Sequence, residues 1–245
     1  MKKSKKLKDQ IENDLLTIGP ALHYNELSLE EQDKCKKIHK TIVALKLYTY
    51  DIQDDLPKES QQYLNEVISD LIEAYHLLFN DRYKTSKIMI RSSIDCLIKG
   101  IHCEWKINEE YTSRFTDNLK VVNKTLKEYY DSRSIPISFL DKLYDEIKKI
   151  FDDTSGYVHS KTNAELSQYQ FINEIINPDH SPSIRIQHVN EMLEYIETIL
   201  FYLVISNVRC ILADCSLEKQ NVIYSCMTKN RRKILELDIK EVLFP

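Results

Sequence analysis

Leu64-Asn65-Glu66-Val67-Ile68-Ser69-Asp70-Leu71-Ile72-Glu73-Ala74-Tyr75-His76-Leu77-Leu78-Phe79-Asn80-Asp81 is the stretch whose spacing decides the fold. Leu64, Val67, Ile68, Leu71, Ile72, Tyr75, Leu78 and Phe79 recur at intervals of three and four, the period that lines one face of an α-helix. Pro57 suits the first turn of that helix. Asn80-Asp81 makes a short break, and a further helix is predicted from about Arg82 to Lys106. So short a connection sets the two helices antiparallel. On the second of them Ile90, Ile94, Leu97, Ile98, Ile101 and Trp105 fall within a roughly 80° wedge. Arg91, Asp95 and His102 line one border of it, and Arg91 and Asp95 are spaced to pair at i,i+4. By spacing alone that is a boundary ion pair, worth a few tenths of a kcal/mol. Its functional counterpart is an arginine positioned at a helix interface, able to hold a phosphate.

The rest of the chain extends the pattern. Ser28-Leu29-Glu30-Glu31 is a capping box that opens a helix running to about Tyr50. Asn108 can cap a helix through Phe115, Leu119, Val122 and Leu126 to Tyr130. After a loop around Pro136, Phe139, Leu140, Leu143, Ile147, Ile150 and Phe151 mark another, closed by Gly156 at a C-cap position. Ala164 to Ile176 forms a short helix in this reading, and Asn177 to Pro182 a turn-rich hinge. Arg185 to Asp214 is a long buried helix, and Leu217 to Leu237 a last one. Only three glycines and six prolines interrupt 245 residues, so tight turns are few. The predicted fold is all-α: an up-down helical bundle over 56–214. A basic N-terminal extension with the first helix (1–55) and a C-terminal helical segment (215–245) complete one domain.

Hydrophobic residues make up 42% of the chain and charged residues 29%, an ordinary globular balance. A net charge of -4 argues against a protein that coats nucleic acid by bulk charge. The charge is uneven, however. Lys2, Lys3, Lys5, Lys6 and Lys8 form one basic run, and Lys229, Arg231, Arg232 and Lys233 form another; both read first as solvated faces. Arg231, Arg232 and Lys233, with Lys161, are the candidate nucleic-acid contacts. The charge-free run Thr198 to Val208 is too short to cross a bilayer, so no membrane association is expected. Nothing after Met1 to Lys8 supplies the apolar core of a secretory leader. The six cysteines are accordingly expected to be free thiols in a reducing cytoplasm. Their spacing makes no metal site, since Cys96 and Cys103 on one helix lie about 10 Å apart along its axis and no CxxC pair occurs. Without a P-loop, GxGxxG or GxSxG motif, no cofactor is implied either.

Asp81-Arg82-Tyr83-Lys84-Thr85-Ser86-Lys87-Ile88-Met89-Ile90-Arg91-Ser92-Ser93-Ile94-Asp95-Cys96-Leu97 resembles the "RsxxE" helix of HEPN-like proteins. Thr154-Ser155-Gly156-Tyr157-Val158-His159-Ser160 resembles the "lSxyVHg" joint of the same superfamily. The similarity spans roughly Leu56 to Leu203. It implies a four- or five-helix up-down bundle, often dimeric, of a kind common in prokaryotic antiphage, abortive-infection and toxin–antitoxin systems. Active members are metal-independent ribonucleases with an arginine four to six residues before the motif histidine. The histidine moves a proton near neutral pH, the arginine clamps the phosphate as its charge grows, and the RNA 2′-hydroxyl attacks.

Here the chain departs from that pattern. Upstream of His159 stand Ser155, Thr154, Asp153 and Asp152, and none is arginine. Arg91 on the neighbouring helix is the candidate substitute, with Asp95 beside it. Three functions follow as expectations. The first is a HEPN-like partner-binding or regulatory subunit, either a self-dimer or part of a defence complex, in which His159 orders a helix joint. The alternative is a ribonuclease with His159 as general acid/base and Arg91 as phosphate clamp. The third is RNA or DNA binding through the terminal basic clusters without cleavage.

Overall fold

The computed structural model describes residues 2–108, 110–159, 182–207 and 215–239, with side chains except at 2–8, 10, 157–159, 182–183 and 237–239. Among these residues the chain is helical without strands. Its helices are α1 (Lys2–Ile18), α2 (Leu29–Ile52), α3 (Lys58–Phe79), α4 (Tyr83–Glu104), α5 (Phe115–Asp131), α6 (Ser138–His159), α7 (Pro182–Ser206), α8 (Leu217–Ser225) and α9 (Lys229–Lys233). A π-turn over Ile234–Ile239 follows α9. No helix among the described residues is long and apolar enough to cross a membrane.

Helix α2 starts where the capping box places it. The Ser28 backbone N–H donates to Glu31 Oε2 at 2.8 Å, and Glu31 N–H donates back to Ser28 Oγ at 3.3 Å. Helices α3 and α4 form the antiparallel hairpin read from the sequence. Ser60 Oγ donates to the Gly100 carbonyl and Ser86 Oγ to that of Ala74, both at 2.8 Å, which ties the hairpin near each end. Asp81 turns the chain with a left-handed φ of 55°, a conformation aspartate tolerates better than most residues. At Gly100 the helices approach so closely that a Cβ would lie 3.1 Å from Leu64 Cδ2.

Helix α4 touches α3, α5, α6 and α7, and is the hub of the bundle. Three contacts fix α7 beside it: Arg185 to Asp81, Glu191 to Lys87 and Asn207 to Glu104. The first two are separated by 104 residues and the third by 103, so the two helices run parallel with their turns in step. Helix α7 is the buried helix foreseen, with Val189, Met192, Ile196, Ile199, Leu200 and Leu203 all in the core. Its end is capped by side chains from other helices. The last carbonyls of a helix lack intrahelical donors, and here two fully buried tyrosines supply them. Tyr130 Oη donates to the Ile205 carbonyl and Tyr48 Oη to that of Asn207, both at 2.7 Å.

Several boundaries differ from the sequence reading. Gly156 does not close α6, which continues through it to His159 with Thr154, Ser155 and Gly156 buried. An interior glycine costs up to about 1 kcal/mol against alanine, and a packed face outweighs that. Helix α5 begins at Phe115 rather than near Asn108, because Asn118 bonds Thr112 and holds the preceding segment as a turn. Helix α7 ends at Ser206, and 208–214, the remainder of its expected span, lie outside the described residues. The single C-terminal helix is two, α8 and α9, each opened by its own cap, Ser216 and Thr228. Helix α1 was not foreseen, although Ile11, Leu15 and Ile18 carry helical spacing. The expected helix over 164–176, most of the hinge before Pro182, and Cys210 lie outside the described residues.

Candidate functional site

The polar side chains that the bundle collects run along the contact of α4 with α6 and α7. On α4, Tyr83, Lys87 and Arg91 recur every four residues and form one stripe. Facing it on α7 are Arg185, His188, Glu191 and Tyr195, again at helical spacing. Phe151, Asp153 and Ser155 of α6 close the seam.

Its first end is an ionic node. Arg185 grips Asp81 with Nε and Nη2, both bonds 2.9 Å, and approaches Glu31 at 3.6 Å. The α3–α4 turn, the α2 cap and the start of α7 thus meet on one guanidinium, with the Asp81 and Glu31 carboxylates almost fully enclosed. Six residues further along each segment, Lys87 pairs with Glu191 and sits 4.9 Å over the Tyr195 ring. Only 6% of the Lys87 side chain is exposed, and the carboxylate facing it offsets the cost of burying it. His188 Nδ1 lies 3.2 Å from the same carboxylate. His188, with Lys87 and Gln187, holds the Glu191 carboxyl well below the usual range, against the opposing pull of burial. Tyr195 Oη in turn reaches Asp153 Oδ2 at 3.5 Å.

The far end is Arg91. The i,i+4 pair with Asp95 does not form. Lys99 takes Asp95 at 2.7 Å and Tyr111 Oη donates to it at 3.0 Å, so that carboxylate is already satisfied. Arg91 instead crosses to α6. Its Nε donates to Ser155 Oγ at 3.1 Å, and its guanidinium carbon lies 4.7 Å over the Phe151 ring. Phe151 is itself stacked on Phe115 at 3.7 Å and 6°. The nearby α6 carboxylates are also engaged elsewhere: Asp152 with Lys148 at 2.6 Å, and Asp153 with Tyr195. Among the described residues, therefore, no carboxylate neutralises Arg91, and its two Nη groups keep their donors unspent.

His159 ends α6 one turn beyond Ser155, about 6 Å further along the axis. Its side chain lies outside the described residues, as does Lys161. The C-terminal basic cluster separates in two. Arg231 is turned inward, donating to Glu146 Oε2 at 2.8 Å and to Thr198 Oγ1 at 2.7 Å over the Phe201 ring. Its place is that of a packing group rather than of a surface contact. Arg232 and Lys233 are exposed, with Arg232 Nε donating to the Met227 carbonyl.

Sequence reasoning missed Lys87, Glu191, His188, Ser155 and Phe151. Only Ser155 left a usable signal, standing four residues before the motif histidine. The pairings across α4 and α7 join residues about 100 positions apart and leave no local trace. A second titratable group stands at the other end of α4. Burial pushes the Glu104 carboxyl up to about 8, with only the Asn207 amide, 2.7 Å away, to offset it. No family model, no curated protein and no solved structure matches this chain.

Proposed function

We propose that this chain is a HEPN-like helical protein, of the kind found in prokaryotic antiphage systems, that engages RNA phosphate at the α4–α6 contact. In that reading it is a metal-independent ribonuclease. The observation that carries it is Arg91: a guanidinium held against α6, one turn before His159, with no carboxylate spending its Nη donors. In this reading Arg91, bonded to Ser155 four residues before His159, stands in for the arginine that the motif lacks. It would hold the scissile phosphate and oppose the charge that grows on the non-bridging oxygens. His159 would take the 2′-hydroxyl proton or return one to the leaving 5′-oxygen, roles suited to an imidazole near neutral pH. Asp95, bound to Lys99 and Tyr111, supports the helix face rather than the reaction. The purified chain should cleave single-stranded RNA in EDTA, with the loss of at least about 100-fold in rate expected for a missing general acid/base when His159 is changed to alanine. Arg91→Gln should do the same. Equal cleavage by both variants and the parent would end this reading.

A second reading, the partner-binding subunit, has its own observation. A cavity of about 500 Å³ opens between α1, α2 and α3, lined by Ile18, Ile42, Val43 and Leu47, with Tyr50 66% and Ile72 49% exposed beside it. Apolar surface of this kind is stabilised by a covering partner, and a second copy of the chain is the occupant we assign. The mass in solution, by sedimentation equilibrium, should then rise to the dimer with concentration. Ile72→Glu should return it to monomer, and a monomeric parent at all concentrations refutes the assignment.

A further inference from the structure

We infer that Ser155 and Phe151 are positioning residues that turn Arg91 into an end-on receptor for one RNA phosphodiester; this rests on the phosphate reading of the site. A guanidinium offers five N–H donors and two kinds of edge to an oxyanion: the side formed by Nε with one Nη, and the end formed by both Nη groups. Ser155 Oγ accepts from Nε at 3.1 Å, which removes the side edge from use. The end edge is what remains for a phosphate.

The second constraint is the plane. Phe151 lies 4.7 Å beneath the guanidinium carbon, and Phe115 stacks behind Phe151 at 3.7 Å, nearly parallel. Phe115 is buried, so the ring pair does not tilt freely. An arginine side chain normally loses much rotamer freedom when it grips a ligand; here the fold has already imposed that order. Ser155 adds one more feature. It is buried on the same helix that carries His159, so its bond to Arg91 fixes the separation between the cation of α4 and the last turn of α6. The surrounding carboxylates complete the arrangement by pointing elsewhere, Asp95 to Lys99, Asp152 to Lys148 and Asp153 to Tyr195.

The test uses the full chain and a fluorescein-labelled, fully 2′-O-methyl oligonucleotide, which cannot be cleaved, with Kd read by anisotropy from 50 to 200 mM salt. Arg91→Gln should weaken binding and lower the salt slope by about 0.7, one single-strand phosphate contact. Ser155→Ala keeps the charge, so it should leave the slope unchanged while raising Kd about tenfold, or ~1.4 kcal/mol. Ser155→Thr should restore affinity, because it returns a hydroxyl, and Phe151→Leu should behave like Ser155→Ala. Thermal melts of each variant check the fold. A purely structural serine would lower the melting temperature of Ser155→Ala without moving Kd, and that outcome overturns the proposal. Phosphate recognition itself fails separately, if Arg91→Gln binds as the parent does.

Discussion

Replacing Glu104 by glutamine should make stability less dependent on pH, and the size of the change follows from the site. The Glu104 carboxyl is pushed from the ordinary 4.5 up to about 8, first by burial, with the Asn207 amide opposing. The folded protein therefore holds a proton between these limits that the unfolded chain releases. Stability from this group is fully present below about 4.5, declines as pH rises, and is lost above about 8. A displacement of that span amounts to ~5 kcal/mol at most, and water at the edge of this partly exposed residue reduces it to about half. Glutamine keeps the shape and still accepts the 2.7 Å bond from Asn207, but carries no charge at any pH. Urea unfolding of parent and Glu104→Gln at pH 4.5, 7 and 9, at constant ionic strength, measures the difference directly. The variant should match the parent within about 1 kcal/mol at pH 4.5 and exceed it by ~2–4 kcal/mol at pH 9. A difference that stays constant across the range would refute the reasoning, because it would mean that Glu104 is not buried against its charge.

Two further outcomes rest on the frame around the site. Asp81→Asn retains the left-handed turn but leaves the Arg185 guanidinium without its bidentate partner; unfolding in denaturant should show a loss of ~3 kcal/mol, and a loss below about 1 kcal/mol would mean that the node is not under that load. Tyr130→Phe strands the Ile205 carbonyl at the end of α7 and should cost ~1–3 kcal/mol by the same measurement, with near-identical stability counting against the tyrosine cap.

The parts of this fold that were legible in the sequence are those set by neighbours along the chain. The Ser28–Glu31 box needs only four residues, and both of its bonds form. The α3–α4 hairpin needs an apolar stripe on each side of a short break, and Leu64, Leu71, Ile90, Ile94 and Leu97 are all buried as their spacing requires. Where local rules met competition they failed. Gly156 obeys the chemistry of a C-cap, yet the buried face of α6 carries the helix past it. Arg91 and Asp95 have the spacing of a pair, but Lys99 and Tyr111 satisfy the carboxylate and Ser155 and Phe151 receive the arginine. Arg231 sits in a basic run that looks solvated, and Glu146 and Thr198 draw it inward.

The amino-acid sequence by itself determined that this chain is built of helices and most of the residues that face the core, with Ile72 of the α3 stripe left exposed, because periodicity and capping act within a few residues. Only the tertiary structure decided which charges cancel and which stay available, because that depends on partners brought together from distant segments. Lys87 is spent on Glu191, while Arg91 is braced by Phe151 and Ser155 and keeps its outer donors.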